Sequence, residues 1–537
     1  MRITRPLVAA IAALFPCLLL AADPPTMELA LDESIARALG KNIDLRVERE
    51  NVVIADANVE RAKGAYDPAL RLDARYRDRT DGINSILSGA PAGDVGPSTS
   101  GGALSGGLSQ LLSTGGTVSL STSLSRETTN NTFSLLSPSY ITSLGLELRQ
   151  PLLQNRSVDP ARRGLRVARI DRERSAANLK RTVSETVAAV EKAYWTLVAA
   201  RREVEARTSA VALAGDQRTD VRSRFEAGVL SEADLAAPTA ELERRRGDLF
   251  AAEEGATRAE NSLKALLGGD PSDPVWASRI VPVDQPTLSN GAAADASVDS
   301  AAAVATAALD RPEIAEATSR IARSAVDEEV ARSRVLPQLD LVGAYTGRGL
   351  AGSKNPDVAA PFPGLVVNVP PALDGGLGRS YGTLFDNRFP DASIGLALTL
   401  PVGNRAARAD AAIARSARVQ AEASLAQVRQ RVEVEVLNAV AALRSAAQRV
   451  EAARAGREAA ETLLKAENDR FAAGTTTPFF VLTRQNDLTQ ARITEVASLT
   501  DHKKARAELA RAKGTLLEER NIRVEDHTPG SPAGGSR

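Results

Sequence analysis

Two long stretches without an internal proline restrict the fold of this 537-residue chain more than any other feature. The first opens with Asp159 and Pro160, residue types favoured at the N-cap and the first helical position, and has no further proline up to Glu226. The second runs from Arg405 to Ala472. At about 1.5 Å per residue, each would form a helix about 100 Å long, which no compact domain accommodates. The sequence therefore predicts long helices packed side by side.

Each predicted long helix carries a stripe of mostly apolar residues spaced by four and three. The stripes are Val183, Val187, Val190, Tyr194 and Leu197 in the first helix, and Val432, Val436, Ala439, Leu443 and Ala446 in the second. An ordinary amphipathic helix shows such a stripe too, but the matching length and spacing of the two helices favour coiled-coil packing. Aromatic residues make up only 3% of the chain, which argues against one thick globular core. The Arg and Glu side chains elsewhere on these two helices are interpreted as solvated faces with occasional i,i+4 pairs, rather than as a binding patch.

The chain divides into two halves with one plan: helix, strand, long loop, strand, very long helix, tight turn and returning helix. The matching landmarks are Tyr66-Asp67-Pro68-Ala69-Leu70 with Val335-Leu336-Pro337-Gln338-Leu339, Leu148-Arg149-Gln150-Pro151 with Leu398-Thr399-Leu400-Pro401, and Arg224-Phe225-Glu226-Ala227-Gly228 with Arg470-Phe471-Ala472-Ala473-Gly474. Because their order is the same in both halves, we predict an internal duplication. The first repeat covers residues 23–309, the second covers 310–520, and a polar tail, 521–537, is expected to be disordered.

The N-terminus has the layout of a secretory signal peptide over residues 1–22. Arg2 and Arg5 precede an apolar run, Leu7 to Leu20, which ends in the small residues Ala21 and Ala22. The only cysteine, Cys17, lies inside this run. A lipoprotein is the alternative, although the residues before Cys17 are a poor lipidation signal. Cleavage after Ala22 would leave a mature chain without cysteine, which excludes disulfides and thiolate metal sites.

Two short segments in each half alternate apolar and polar residues. The apolar positions are Leu70, Leu72, Ala74 and Tyr76; Leu144, Leu146 and Leu148; Leu339, Leu341 and Tyr345; and Ile394, Leu396, Leu398 and Leu400. Their length suits tilted membrane strands of about 9–11 residues. A half-buried strand of a soluble sandwich alternates in the same way, but no second apolar sheet pattern is available to pack against these. Four strands cannot close a barrel, so several copies must share one if the strands lie in lipid.

The loops between the paired strands differ between the halves. In the first, the segment from Gly101 to Ser125 alternates leucines with serines around a turn at Ser113-Thr114-Gly115-Gly116. This segment is either an additional hairpin in the wall or part of an outer loop. In the second, the stretch from Thr346 to Arg388 is rich in Gly and Pro and is predicted to be a long exposed loop.

The sequence offers no arrangement that we expect to be catalytic. Its two histidines, His502 and His527, are distant and have no cysteine partners, so we predict no metal site. Gly375-Gly376-Leu377-Gly378 lacks the strand-to-helix setting of a phosphate-binding loop. The chain has 67 basic and 67 acidic residues, and this balance gives no global attraction to nucleic acid. We therefore predict a protein that is not an enzyme and has no cofactor.

An ordered set of short motifs resembles the TolC-like outer membrane efflux family. The motifs are Tyr66-Asp67-Pro68, Gln150-Pro151-Leu152-Leu153, Arg224-Phe225-Glu226-Ala227-Gly228-Val229, Leu336-Pro337-Gln338-Leu339, Leu400-Pro401-Val402-Gly403-Asn404-Arg405 and Arg470-Phe471-Ala472-Ala473-Gly474-Thr475. The resemblance extends over roughly Glu28 to Arg520, and it is carried by the order of the motifs rather than by any single one.

The resemblance implies a fold that is mainly α with membrane β-strands. It implies a homotrimer in the outer membrane, whose strands jointly form one twelve-stranded β-barrel. A long coiled-coil α-barrel would continue this barrel across the periplasm. It also implies two partners, a periplasmic adaptor (membrane fusion) protein that meets the tips of the helical hairpins and an inner-membrane pump that drives transport.

Carried over to this sequence, the resemblance assigns the adaptor-docking tips. They are Arg224, Phe225, Gly228, Val229 and Leu230 in the first half, and Arg470, Phe471, Gly474 and Thr475 in the second. Well-known members also have acidic residues near the closed aperture, at positions that align with Phe480 and Thr483. Neither is acidic here, which puts cation gating in doubt. Asp234 is the nearest candidate for an aperture charge, and a helix-dipole role is its alternative.

The sequence therefore predicts a passive outer-membrane channel subunit of a tripartite efflux or type I secretion system. The alternative is a periplasmic coiled-coil adaptor or structural protein of an export complex. Adaptors normally have one helical hairpin flanked by small β-domains, whereas this chain has two hairpins and strands suited to lipid. The residues do not distinguish drug, metal and protein substrates, nor the class of pump.

Overall fold

The computed structural model describes residues 25–85, 87–228, 232–287, 297–359, 367–473 and 475–524, without the side chains at 232–234 and 478. The predicted signal peptide, residues 1–22, lies outside these ranges, as does the tail from residue 525 onward. None of the helices in these ranges is long and apolar enough to cross a membrane.

Helices dominate the described residues. They are α1 (Leu31–Lys41), α2 (Ile43–Lys63), α3 (Pro160–Glu226), α4 (Glu232–Leu267), α5 (Ser300–Asp310), α6 (Pro312–Val335), α7 (Leu377–Phe385), α8 (Arg405–Ala472), α9 (Pro478–Lys513) and α10 (Leu516–Glu519). The strands are β1 (Thr26–Leu29), β2 (Ala69–Thr80), β3 (Ser98–Leu111), β4 (Thr117–Thr129), β5 (Leu136–Pro151), β6 (Arg279–Pro282), β7 (Gln338–Lys354) and β8 (Phe389–Thr399).

The two long helices form over the predicted spans, as α3 and α8. At the start of α3, a carboxylate oxygen of Asp159 accepts hydrogen bonds from the backbone N–H groups of Ala161 at 2.8 Å and Arg162 at 2.9 Å. The prediction of Asp159 as the N-cap is therefore confirmed, since the side chain satisfies two amides that have no partner within the helix. All ten residues of the two apolar stripes are buried.

The chain forms two compact units. The first contains the described residues within Met1–Arg46, Thr182–Ala307 and Glu435–Arg523. Its short strands β1 and β6 pair in parallel. The hydroxyl of the fully buried Tyr194 lies 2.7 Å from a carboxylate oxygen of Asp284 and 3.0 Å from the carbonyl oxygen of Leu29. These contacts fix α3 to β1 and to the segment that follows β6, because a buried hydroxyl without partners would be costly.

Charged residues also hold the helices of this unit together. Glu508 on α9 accepts hydrogen bonds from Arg511 of the same helix and from Lys192 on α3, and Arg511 also contacts Glu435 on α8. Burial alone would raise the pKa of Glu508, but the bonds from Arg511 and Lys192 lower it to about 2. The interpretation of the charged residues as solvated faces is therefore wrong here, because these side chains pair between neighbouring helices.

The second unit contains the described residues within Val47–Arg181, Ala308–Val434 and Val524–Arg537. Its core element is one antiparallel sheet with the order β2-β3-β4-β5-β7-β8. Ion pairs join three of its helices: Arg172 of α3 with Asp56 of α2 at 2.8 Å, and Arg166 of α3 with Glu329 of α6 at 2.8 Å. All four predicted strands are present in the sheet, as β2, β5, β7 and β8.

The sequence left the total number of strands open, and the described residues of this sheet form six. The segment from Gly101 to Ser125 belongs to the hairpin β3–β4, which pairs along most of its length with β2 on one side and β5 on the other. The hairpin turns at Gly115, where φ is +83°. Arg162 of α3 donates a hydrogen bond to the carbonyl oxygen of Thr114 at 3.3 Å. The hairpin thus extends to the end of the sheet that adjoins the start of α3, and it is not an outer loop.

The prediction of a long loop from Thr346 to Arg388 is also wrong in part. Strand β7 continues to Lys354, and helix α7 forms further on and packs on β7 and β5. A Cβ atom at Gly349 would lie 2.1 Å from the carbonyl oxygen of Ser380 in this helix. Glycine in this part of β7 therefore reflects the close approach of α7, whereas the sequence alone suggested loop.

Candidate functional site

The six-stranded sheet has one apolar and one polar face. Its register aligns Leu70, Leu108, Leu120 and Leu146 in one row across four strands. The next row, on the opposite face, contains Arg71, Gly107, Ser121, Gly145 and Thr346. The polar face also carries an ion pair between Arg149 and the buried Asp340, at 2.7 Å. A sheet with these faces separates an apolar environment from an aqueous one.

The first hairpin tip, after α3, is held by backbone contacts. The N–H of Gly228 donates to the carbonyl oxygen of Phe225 at 2.9 Å, and φ at Gly228 is +78°. Only glycine takes this conformation without steric cost, so the residue type follows from the turn. No atom lies within 4 Å of the position that a Cβ would occupy at Gly228. Arg224 is exposed and pairs with Asp220 one turn earlier at 3.1 Å.

The second hairpin tip, after α8, is closed by Thr475 and Thr476. Both the N–H and the hydroxyl of Thr475 donate to the carbonyl oxygen of Arg470, each at 3.0 Å. The hydroxyl of Thr476 donates to a carboxylate oxygen of Glu467 at 2.6 Å. Arg470 keeps 69% of its side chain exposed, so it remains available to a partner.

Both tips belong to the first unit, where the structure joins them directly. The guanidinium of Arg224 lies 5.8 Å from the ring centre of Phe471, within the range of a cation–π contact. Phe225 and Phe471 are half-buried. The predicted tip residues Val229, Leu230 and Gly474 lie outside the described residues, as does the side chain of Asp234.

An aromatic pair that follows the second tip in the sequence was not predicted to be part of a site. Phe479 and Phe480, in the first turn of α9, are 68% and 49% exposed. Their rings meet edge to face at 5.6 Å. The signal was present: two adjacent aromatics directly follow Pro478 in a chain with only ten phenylalanines. Exposed aromatic residues are enriched in the centres of protein interfaces.

The described residues contain no group of three or more His, Cys, Asp or Glu side chains that could hold a metal ion. The first unit carries two turns and an exposed aromatic pair, and the second unit carries a two-faced sheet. These features are suited to binding a protein partner and to enclosing an aqueous pore.

The sequence profile of the outer membrane efflux protein family matches residues 116–269 and 303–515. The chain therefore belongs to this family. No curated protein matches it at a significant level. Channels of the family are homotrimers that work with periplasmic adaptor proteins and inner-membrane pumps, and they are not enzymes.

The fold is that of solved outer membrane channels. The chain is 15% identical to CmeC of Campylobacter jejuni, with 92% of this chain and 90% of that one aligned and a TM-score of 0.60. It is 16% identical to VceC of Vibrio cholerae, with 90% of this chain and 96% of that one aligned and a TM-score of 0.60. It is 17% identical to MtrE of Neisseria gonorrhoeae, solved in its open state, with 91% of this chain and 89% of that one aligned and a TM-score of 0.58. At these identities the likeness establishes the fold alone.

Family and fold confirm the predicted class: an outer-membrane channel subunit that extends into the periplasm and functions in a tripartite efflux system. The alternative of a periplasmic adaptor is not supported, since the family is one of channels and the sheet has an apolar face. The leucines and the set of Arg71, Ser121 and Asp340 lie on opposite faces of the sheet, as the wall of a membrane channel requires.

Proposed function

We propose that the two hairpin tips form one docking surface for a periplasmic adaptor protein. The observation that carries this proposal is the contact of Arg224 with Phe471, which joins the tips of both halves into a single surface. Arg470, which precedes Phe471, is exposed, as is the ring pair of Phe479 and Phe480 in the first turn of α9. Arginine and aromatic side chains of this kind dominate the binding energy of protein interfaces. The docked adaptor opens the channel, and an inner-membrane pump supplies the energy.

The proposal also states that this chain conducts substrate passively and catalyses no reaction. Substrate passes along the polar sheet face, which holds charges in ion pairs such as Arg149 with Asp340. The perturbed carboxylate of Glu508 is engaged by Arg511 and Lys192, so its low pKa has a structural explanation. Asp234, in the return helix α4, remains our candidate for the aperture charge.

The same proposal covers the division of the chain. Residues 1–22 act as a signal peptide, 23–309 and 310–520 are the two repeats, and 521–537 form the polar tail. The support is the similar order of elements in the two halves: α2, β2, β5, α3 and α4 in the first, and α6, β7, β8, α8 and α9 in the second.

The substitution Gly228→Asp tests the docking surface. It adds a charge where no atom lies within 4 Å, together with about 1–2 kcal/mol of strain from the positive φ. We expect loss of adaptor binding and export while trimers persist, and the same from Gly474→Asp. The measurements are co-purification of the adaptor after cross-linking and the trimer band in unheated gels.

Gly228→Ala is the matched control, because alanine brings at least as much backbone strain as aspartate, without the charge. It is expected to retain most of the adaptor binding. Normal export by both aspartate variants would contradict the assignment of the tips as docking sites.

A further inference from the structure

The six-stranded sheet ends in two unpaired edges. Among the described residues, β2 pairs only with β3, and β8 pairs only with β7. Every residue of these two strands is exposed, whereas each inner strand includes residues that are at least half-buried. Each edge therefore presents a row of backbone N–H and C=O groups without partners. In a bilayer each such group costs several kcal/mol, so the edges must be covered.

The directions of the strands decide what can cover them. Neighbouring strands of the sheet are antiparallel throughout, and the number of strands is even. Strand β8 therefore runs opposite to β2. When the same sheet is repeated around a rotation axis, β8 of one copy meets β2 of the next in antiparallel orientation. No additional strand from another protein is needed.

We propose that three copies of this chain close a single barrel of eighteen strands, with β8 of each subunit paired to β2 of its neighbour. The proposal rests on the homotrimeric assembly of the family. It replaces the twelve strands expected from four per subunit, because the hairpin β3–β4 lies between β2 and β5 and cannot be left out of the wall without breaking the sheet.

The register within one subunit is consistent with this closure. Directly paired residues lead from Leu70 across the sheet, through Leu108, Leu120, Leu146 and Tyr345, to Ala392 in β8. The ends of β2 and β8 that join the helices are Ala69 and Thr399. If these ends are level at the seam, Leu70 of the next subunit meets Leu398, six residues beyond Ala392.

Each subunit thus shifts the register by six residues. Three subunits give a total stagger of eighteen residues around eighteen strands. With a rise of about 3.3 Å per residue and a spacing of about 4.8 Å between strands, the strands tilt by about 35° from the barrel axis. Natural membrane barrels have tilts of about 35–45°. A seam with level strand ends therefore gives the stagger that a closed barrel of this size requires.

Side chains at the two edges suit the same alignment. Leu72 of β2 would lie beside Leu396 of β8 on the lipid face, and Arg77 beside Asp391 on the pore face. Cross-strand contacts between apolar residues and between oppositely charged residues stabilise antiparallel strand pairs. Barrel diameter grows roughly in proportion to strand number, so this pore is about 1.5 times as wide as that of a twelve-stranded barrel. The wall thus admits bulkier substrates.

Disulfide trapping tests the seam in the full chain, whose only cysteine, Cys17, lies in the predicted signal peptide. Arg75→Cys combined with Ser393→Cys places two thiols opposite each other on the pore face in the proposed alignment. Because the alignment could differ by one pair, Arg75→Cys is also combined with Asp391→Cys and with Gly395→Cys. We expect at least one combination to give covalent dimers and trimers in denaturing gels after oxidation.

The matched control is Ala344→Cys with Ser393→Cys, since these residues pair within one subunit and must give only monomers in denaturing gels. Native trimers without a covalent ladder from any of the three combinations would overturn the seam and the eighteen-stranded barrel. Absence of native trimers in the unsubstituted protein would instead overturn the trimeric channel on which the proposal rests. Strand counting by electron cryomicroscopy of the unsubstituted trimer provides the second measurement: eighteen strands support the proposal and twelve contradict it.

Discussion

The connections between the paired strands of the two halves occupy the same place in the duplicated plan but form different structures. In the first half, the connection from β2 to β5 contains the hairpin β3–β4, which is paired with the sheet on both sides. In the second half, the connection from β7 to β8 contains the helix α7, which packs on the face of β7 and β5. One connection therefore widens the wall, and the other covers part of it.

The difference shows which feature of a sequence determines whether a connection joins a sheet. The hairpin keeps the alternation of the sheet, with Leu104 and Leu108 of β3 on the same face as Leu120 and Leu124 of β4. The connection that holds α7 has no such alternation. The hidden face of α7 is instead formed by Ser380, Thr383 and Leu384. Ser380 and Leu384 lie against glycines of β7, and the Thr383 hydroxyl bonds the backbone of Leu350. Insertion of two strands preserves the antiparallel order, so a hairpin can enter a barrel without disturbing its neighbours.

Removal of the hairpin is the strongest test of this comparison. A variant that lacks residues 81–135, with Thr80 joined to Leu136 through a short turn, leaves β2 beside β5 in antiparallel orientation. We expect trimers with twelve strands and about two thirds of the original barrel diameter, measured by electron cryomicroscopy. Export of the bulkiest substrates should fall most.

The second half supplies the control for this deletion. Replacement of α7 by a flexible linker removes a covering element and no strand, so the diameter should stay unchanged. An unchanged diameter after loss of the hairpin would show that β3 and β4 do not belong to the wall.

The sequence predicted the elements that have strong local signals. The long helices follow from the absence of proline and from the N-cap Asp159, and the four flanking strands follow from their alternation. The hairpin could not be assigned because β3 has only four apolar residues, Ala103, Leu104, Leu108 and Leu111, among many serines and glycines. Such a strand is placed in the sheet by pairing with strands that are distant in sequence.

Contacts that depend on which helices are neighbours could not be predicted. The pairing of Glu508 with Lys192 spans 316 positions, and nothing local distinguishes Glu508 from a solvated residue. The turn residues were named through the family resemblance, whereas the contact of Arg224 with Phe471 emerges only when both tips are folded. The ring pair of Phe479 and Phe480 was visible in the sequence, but its exposure was not.

A substitution within the hairpin tests whether it lies in lipid. Leu120 of β4 belongs to the apolar face, between Leu108 and Leu146. Leu120→Arg places a charge against the hydrocarbon, and we expect it to lower the free energy of unfolding by about 2–4 kcal/mol if the position is near the bilayer centre. The measurement is denaturant unfolding of the protein folded in lipid vesicles.

Ser121→Arg is the control, because Ser121 lies on the pore face between Gly107 and Gly145. This variant should change the stability by less than about 1 kcal/mol, since its charge remains in water. Equal effects of the two substitutions would mean that both faces of the hairpin are solvated, as in an outer loop.

The smallest effect is expected where α7 meets the sheet in the second half. A Cβ at Gly349 would lie 2.1 Å from the carbonyl oxygen of Ser380 and 2.3 Å from the hydroxyl oxygen of Thr142, so Gly349→Ala must displace the helix. Overpacking of this kind costs about 1–3 kcal/mol, and the loosened helix should be cleaved faster by trypsin after Arg379. Gly343→Ala is the matched control on the same strand, with no atom within 4 Å of its Cβ position. Because α7 covers the wall without forming part of it, the barrel diameter should be the same in both variants. Equal cleavage rates in the two proteins would contradict the tight packing of α7, and a narrower barrel in Gly349→Ala would contradict its separation from the wall.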